Sequence, residues 1–315
     1  MGIVALAVIK LSLVALLGFY LYRKNFIKDG SLKFLISFII NFAFPFLIFS
    51  NLIENYQTVL THSVGKFIII SVGIFLAGYI LGLVASFKGS HKFRGEFISL
   101  ISFQNGGYLP INIAFFLFPP GVRERFLVYA FLYLLGFNII MWSIGGSFVF
   151  KGNMRKFKLK SIFFPPIIST IVSLMLIYIG LAKFIPTVVI SSLKIVGETS
   201  FVLSAIILGC WLAKVKLKGL LGRSFIIGKA AGLKLIVLPL FFFIAVVSFK
   251  IFSLLGLFIV LQAAMPSAVS LPIVANLNNA DSEFVSQGVF FTHILSILTI
   301  PLWLGLYLKV SGFNF

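Results

Sequence analysis

The 315-residue chain has few acidic residues, with seven Asp and Glu together against 26 Lys and Arg. It has a single cysteine, Cys210, which excludes an intrachain disulfide and a metal site built from several cysteines. Among the acidic residues only Glu198 falls inside a long apolar segment. No GxSxG or HExxH pattern occurs, and no pair of aspartates lies in an apolar segment. We therefore expect neither an enzyme nor a bound cofactor.

Apolar residues are abundant, at 60% of the chain. A helix needs about 20 consecutive apolar residues to cross the hydrocarbon core of a bilayer. Runs of about that length occur at 3–22, 31–53, 64–86, 97–118, 125–150, 162–182, 193–213, 229–249, 254–277 and 287–308. The sequence therefore predicts an all-α membrane protein with ten transmembrane helices.

The basic residues are concentrated in alternate connections between these spans. Of the 26, 17 lie in the connections after the first, third, fifth and seventh spans, while Lys10 and Lys234 lie within spans. Basic connections stay in the cytoplasm, so both termini are predicted on the non-cytoplasmic side of the cell membrane. The charge thus indicates topology and attraction to anionic lipid headgroups, and it does not identify a substrate.

Ten spans divide into two halves of five, predicted as 1–158 and 159–315. Five is an odd number, so the second half enters the membrane in the opposite orientation, and we expect a 5+5 inverted repeat. A weak sequence similarity between the two halves supports this division, because Gly65-Lys66 opens the third span and Gly228-Lys229 opens the eighth.

The fourth span of each half is interrupted at mid-length. The interrupting residues are Gln104, Asn105, Gly106, Gly107 and Pro110 in 97–118, and Gln262, Pro266, Ser267, Ser270 and Pro272 in 254–277. A broken helix exposes backbone groups that lipid cannot satisfy, so it survives only where it lines a cavity of the protein. Paired breaks in two halves are typical of the binding site of a transporter.

The breaks have the chemistry of an anion site. Each second half-helix is expected to begin directly after the break, after Asn105-Gly106-Gly107 in the first span and after Pro266-Ser267 in the second. The free N–H groups at these starts combine with the positive end of the helix dipole. The amides of Gln104, Asn105 and Gln262 can both donate and accept, and Tyr108 and Met265 are candidates for an apolar wall. The predicted substrate-binding set also contains Gly106, Gly107, Pro110, Asn112, Pro266, Ser267 and Ser270. The alternative is that the amides only cap the broken helix ends.

Ion-coupled transporters commonly hold a carboxylate near the bilayer midplane. Neither broken span has one, which disfavours strong Na⁺ coupling. Four residues are candidates for coupling or gating. Glu198 either pairs with Lys194 or marks a proton-linked site, and His293 is either a packing residue or a proton relay. Lys234 either reaches the cytoplasmic face or contacts the substrate, and Asn138 faces the break.

The stretch 261–268, LQAAMPSA, followed by Asn278-Asn279-Ala280-Asp281, resembles the ninth-span motif of the auxin efflux carrier family. Lys234 and Pro239 resemble the basic-x4-Pro signature of that family, and the similarity covers essentially the whole chain. Pro110 and Asn112 depart from the family pattern, which has Gly and Pro at these two positions.

The resemblance implies a fold shared with bile-acid/sodium symporters and sodium/proton antiporters. There, the broken helices 4 and 9 cross inside a moving transport bundle of spans 3–5 and 8–10. Spans 1, 2, 6 and 7 form a scaffold that often dimerises. The resemblance also implies elevator-type alternating access and contact between Asn105 and a substrate carboxylate.

We therefore expect a secondary transporter that exports a small organic anion, an auxin-like carboxylate or a dicarboxylate, driven by the membrane potential. The expected partners are this anion, the lipid bilayer and a second copy of the chain. One alternative is a sodium- or proton-coupled symporter of the same fold. An alternative of another class is a membrane sensor that does not transport.

Overall fold

The computed structural model describes residues 2–86, 93–142, 146, 149–150, 164–216 and 219–314. Its helices are α1 (Gly2–Arg23), α2 (Asp29–Glu54), α3 (Tyr56–Thr61), α4 (Val64–Ser86), α5 (Arg94–Ser102), α6 (Tyr108–Leu117), α7 (Val122–Trp142), α8 (Pro165–Tyr178), α9 (Thr187–Lys214), α10 (Leu220–Ser248), α11 (Leu254–Ala264), α12 (Leu271–Leu277) and α13 (Ser282–Ser311). A short 3₁₀ turn, Ala182–Phe184, precedes α9. The described residues form no β-strand, only one isolated bridge.

Seven of these helices (α1, α2, α4, α7, α9, α10 and α13) are long and apolar enough to cross a bilayer. They coincide with seven of the ten predicted spans, and the prediction of an all-α membrane protein is confirmed. The other three predicted spans correspond to shorter helices. Spans 97–118 and 254–277 are each divided in two, and the N-terminal end of span 162–182 lies outside the described residues.

The outer surface is apolar, unlike that of a water-soluble protein, and polar side chains are buried inside. Large apolar side chains point outward, among them Leu13, Ile69 and Leu298, each at least 60% exposed. Polar side chains such as Gln104 and Gln262 are fully buried. This arrangement is expected where the solvent around the helices is hydrocarbon, because polar groups then find their partners only inside the protein.

Two long helices contain a π-helical turn, Ile39–Ala43 in α2 and Leu233–Val237 in α10, each followed within two residues by a proline. Proline has no N–H group, so it leaves the carbonyl four residues earlier without its helical partner. For Pro239 that carbonyl belongs to Leu235, and it accepts a 2.8 Å hydrogen bond from Nε1 of Trp303 in α13. A side chain of a neighbouring helix therefore satisfies the irregular turn.

The helices pack in two groups. Helices α1, α2 and α8 pack mainly with α9 or with one another, and α4, α5, α7 and α10–α13 form the second group. Helix α6 contacts α1 and α9 of the first group as well as α7 of the second. Close approach depends on glycines: a Cβ at Gly197 would lie 2.6 Å from the Cα of Leu47, and one at Gly78 would lie 2.9 Å from the Cα of Ser102.

Candidate functional site

The two interrupted helices meet at their breaks. Between α5 and α6, and again between α11 and α12, the chain is not helical, and the two segments pair antiparallel at a bridge between Gln104 and Ser267. The N–H of Asn105 donates to the carbonyl of Pro266 at 2.7 Å, and the N–H of Ala268 donates to the carbonyl of Phe103 at 2.9 Å. Each break thus satisfies backbone groups of the other, which explains how non-helical backbone is tolerated inside an apolar bundle.

Side-chain amides make further hydrogen bonds at the crossing point. Nε2 of Gln104 donates to the hydroxyl of Tyr133 on α7, and Nε2 of Gln262 donates to the carbonyl of Gly106 at 3.1 Å. Both glutamines are fully buried, and their Oε1 atoms have no hydrogen-bond partner among the described residues. The amides therefore connect the two breaks and α7, in addition to any contact with a ligand.

Helix α13 contacts both breaks through two consecutive residues. The hydroxyl of Thr292 accepts a hydrogen bond from the N–H of Ser267 at 3.3 Å. Nδ1 of His293 lies 2.8 Å from the carbonyl of Val289 and therefore carries the proton. Its Nε2 atom then accepts a 3.2 Å hydrogen bond from Nδ2 of Asn105. This geometry agrees with the interpretation of His293 as a hydrogen-bonded packing residue.

A cavity of about 220 Å³ lies beside the crossing point. The predicted residues that line it are Gln104, Asn105, Gly106, Gly107, Tyr108, Asn112, Asn138 and Ser270. Aromatic side chains of Phe44, Phe137, Trp142, Phe164 and Trp211 also line it. None of the described residues in the lining is charged. The cavity is therefore uncharged, with polar groups at the breaks and at Asn112, Asn138 and Ser204 and mainly apolar walls elsewhere.

The cavity lies toward one end of the helices. The lining residues of α2 fall in the range 36–44, those of α7 in 134–142 and those of α9 in 204–211. In each helix this is the half nearest to a basic connection. The cavity is therefore on the side of the protein where the basic residues are concentrated.

Unpaired backbone N–H groups are present at both breaks. Those of Gly107, Tyr108 and Leu109 precede or open α6, and those of Val269 and Ser270 precede α12. None of the five donates to another described residue, and all five residues line the cavity. Unpaired N–H groups together with the positive end of the α6 dipole favour a negatively charged ligand.

The prolines lie in the first turn of the second half-helices. Pro110 is the third residue of α6 and Pro272 the second of α12, where a missing N–H costs little. We had expected the second half-helix of span 254–277 to follow Pro266-Ser267 directly, but it begins at Leu271. The tripeptide Leu-Pro-Ile occurs at both 109–111 and 271–273, and it lies in the first turn of the second half-helix in each case.

Five predicted substrate-binding residues do not line the cavity: Pro110, Gln262, Met265, Pro266 and Ser267. They are buried behind it, and Met265 is fully inaccessible. The apolar wall expected from Met265 comes instead from aromatic residues such as Phe44, Phe137 and Trp211. These lie on other helices in long apolar runs, and no feature of their local sequence distinguishes them from lipid-facing residues.

For the charged candidates, the structure contradicts one of the two alternatives for Glu198, and it places Lys234 where neither of its two alternatives holds. Lys194 pairs with Glu54 on α2 at 2.6 Å and not with Glu198, which has no ion pair among the described residues. Lys234 is fully buried on the π-turn of α10, so it neither reaches the cytoplasmic face nor lines the cavity. Its Nζ atom has no hydrogen-bond partner among the described residues.

Comparison with known sequences agrees with this architecture. The sequence model of a family described as membrane transport protein matches residues 3–304, nearly the whole chain. The chain belongs to this family. The resemblance to auxin efflux carriers is thereby confirmed.

Two archaeal members of the family are similar over almost their full length. An uncharacterized transporter of Methanocaldococcus jannaschii is 25% identical over 307 residues, which cover 92% of this chain and 94% of that protein. An uncharacterized transporter of Methanothermobacter thermautotrophicus is 26% identical over 309 residues, which cover 94% of this chain and 96% of that protein. This chain is accordingly a multi-pass membrane transporter of the same family.

Proposed function

We propose that this transporter is a secondary carrier that exports a small organic anion, a carboxylate, across the cell membrane. The observation that supports this most is the uncharged cavity at the crossing of the two breaks. Five of the residues that line it have unpaired backbone N–H groups, and Asn105 lines it as well. A carboxylate satisfies several such donors at once, and hydrogen bonds to a charged acceptor are stronger than those between neutral groups.

In the proposed architecture, each pair of half-helices (α5 with α6, and α11 with α12) crosses the membrane as one span, which gives ten spans. The repeats are 1–158 and 159–315, and the recurrence of Leu-Pro-Ile in the two breaks supports them. The group of α1, α2, α8 and α9 is the scaffold and the site of dimerisation, and the second group together with α6 is the transport bundle.

The position of the cavity supports a cytoplasm-open state of an elevator. Basic connections are cytoplasmic, so a cavity on their side opens inward and both termini lie outside. On the opposite side, α6 packs against α1 and α9 and closes the path. Helix α12 packs mainly against α13 and α5, leaving Ile273 42% exposed beside the cavity. Movement of the bundle along the scaffold would bring α12 against the scaffold and separate α6 from it, which closes the cytoplasmic side and opens the opposite side.

The scarcity of carboxylates supports export driven by the membrane potential. With a negative interior, each exported negative charge gains about 2.3 kcal/mol per 100 mV. Such a carrier does not require a coupling carboxylate, and none lines the cavity among the described residues.

A binding screen tests the substrate class. Two tryptophans, Trp142 and Trp211, line the cavity, so a bound ligand should change their fluorescence. We expect one or more carboxylates in a panel from malate to indole acetate to quench this signal and to raise the melting temperature. The corresponding amide or methyl ester should bind at least tenfold more weakly. Equal binding of acid and amide, or no response to any acid, contradicts the proposal.

A further inference from the structure

We propose that the hydrogen bond between Asn112 and Ser204 is a latch that stabilises the cytoplasm-open conformation. The inference rests on the proposed elevator function and names the contact that sets its resting state. Nδ2 of Asn112 on α6 donates to Oγ of Ser204 on α9 at 2.8 Å. Both side chains are buried, at 2% and 7% exposure, and the bond joins the moving bundle to the scaffold.

The direction of the Asn112 amide follows from its second contact. Nδ2 also donates to the carbonyl of Tyr108, one turn earlier in α6, at 2.9 Å. A flipped amide would place Oδ1 against that carbonyl oxygen, so both N–H groups must point as described. The two bonds hold Asn112 rigidly, and the hydroxyl of Ser204 is its partner across the interface.

Aromatic contacts extend the same interface on both sides of this bond. The rings of Phe115 on α6 and Phe201 on α9 stack with centroids 4.5 Å apart and planes inclined by 22°. Tyr108 packs on Phe44 of α2 with ring centroids 5.3 Å apart. The Phe115–Phe201 stack closes the non-cytoplasmic side by apolar contact, and the Tyr108–Phe44 pair borders the cavity. The hydrogen bond between them adds a directional interaction that a displaced helix cannot keep.

The repeat-related half-helix lacks an equivalent group. Aligning the two Leu-Pro-Ile tripeptides places Val274 of α12 at the position of Asn112 in α6. Valine cannot donate a hydrogen bond, so α12 has no such latch at this position when it closes the cytoplasmic side. The Asn112–Ser204 bond therefore lowers the free energy of the cytoplasm-open state without a matching gain in the outward-open state.

Cysteine accessibility tests the latch without requiring transport. Ser200 is 3% exposed and lies four residues before Ser204, a spacing that puts the two on the same face of α9. In a Cys210→Ala background, Ser200→Cys should react with an impermeant maleimide added outside only during outward opening. We expect Asn112→Val or Ser204→Ala to raise the labelling rate roughly threefold to tenfold, the range for one net side-chain hydrogen bond. Ser204→Thr keeps a hydroxyl and should restore the slower rate.

Ser169→Ala is the matched control. It removes a 2.6 Å hydrogen bond from Ser169 to the carbonyl of Pro45, which joins two scaffold helices and does not cross the interface. Its labelling rate should equal that of the reporter alone, and melting temperatures will identify any variant that is unfolded. The latch is ruled out if the labelling rate is unchanged in both latch variants while labelling and anion flux are intact in the parent. That result would not contradict the proposed carrier function. Absence of both labelling and flux in the parent contradicts the elevator itself, and the latch with it.

Discussion

Asn105 is the residue whose replacement most directly perturbs the proposed anion site. Its side chain is 95% buried and lines the cavity, and Nδ2 is oriented by a 3.2 Å hydrogen bond to His293. The backbone N–H of Asn105 makes the 2.7 Å bond to Pro266 that ties the two breaks together. Asn105→Ala therefore removes the side-chain amide and keeps this backbone hydrogen bond, so the two breaks should still cross.

The expected effect on affinity follows from one lost hydrogen bond to a charged ligand. Such bonds contribute about 1.5–3 kcal/mol, so the dissociation constant should rise on the order of tenfold to 100-fold. The assay is quenching of Trp142 and Trp211 by the strongest carboxylate of the panel. Asn41→Ala is the control, because the amide of Asn41 is exposed and bonds only to Ser37 in its own helix.

The reasoning is refuted if Asn105→Ala binds the carboxylate as tightly as the parent. It is also refuted if affinity falls equally in Asn41→Ala, since that would indicate a general effect of removing an amide. A large drop in melting temperature for Asn105→Ala alone would show that the side chain supports the crossing and does more than contact a ligand.

Three further predictions concern stability, each measured as melting temperature in the same detergent. Gly197→Ala should lower it, because the new Cβ would lie 2.6 Å from the Cα of Leu47; an unchanged value would contradict the close packing. Lys234→Met should raise it by removing a buried amino group that has no partner among the described residues, and a fall would reveal a hidden partner. Trp303→Phe should destabilise the protein by about 1 kcal/mol through loss of the bond to Leu235, whereas no change would indicate another donor.

The sequence predicted the long helices and both breaks because these depend on local properties. An apolar run of bilayer length specifies a spanning helix, and Gly, Pro and amides clustered at mid-length specify its interruption. The start of α12 was misplaced by several residues, because Pro266 and Ser267 continue the extended segment that pairs with the other break. Pairing between segments about 160 residues apart is a tertiary effect that local sequence does not carry.

The walls of the site were the least predictable part. Phe137 and Trp211 line the cavity, while Phe241 and Leu298 point outward, and all four occur in apolar runs of similar composition. Membrane helices that are apolar on every side carry little periodic signal to tell a cavity face from a lipid face. Of the two alternatives for Glu198, the ion pair with Lys194 does not form, because the partner of Lys194 lies on another helix and not one turn away in its own.

The central claim is that the chain exports an organic anion down the membrane potential without a coupling ion. The most direct test is a current measurement on the purified protein in liposomes, loaded with the carboxylate that binds best and held negative inside. The account predicts anion efflux that moves net negative charge outward, proceeds without Na⁺ or a pH gradient, and accelerates as the potential is increased. Efflux that requires Na⁺, or flux that produces no current at any potential, would contradict it.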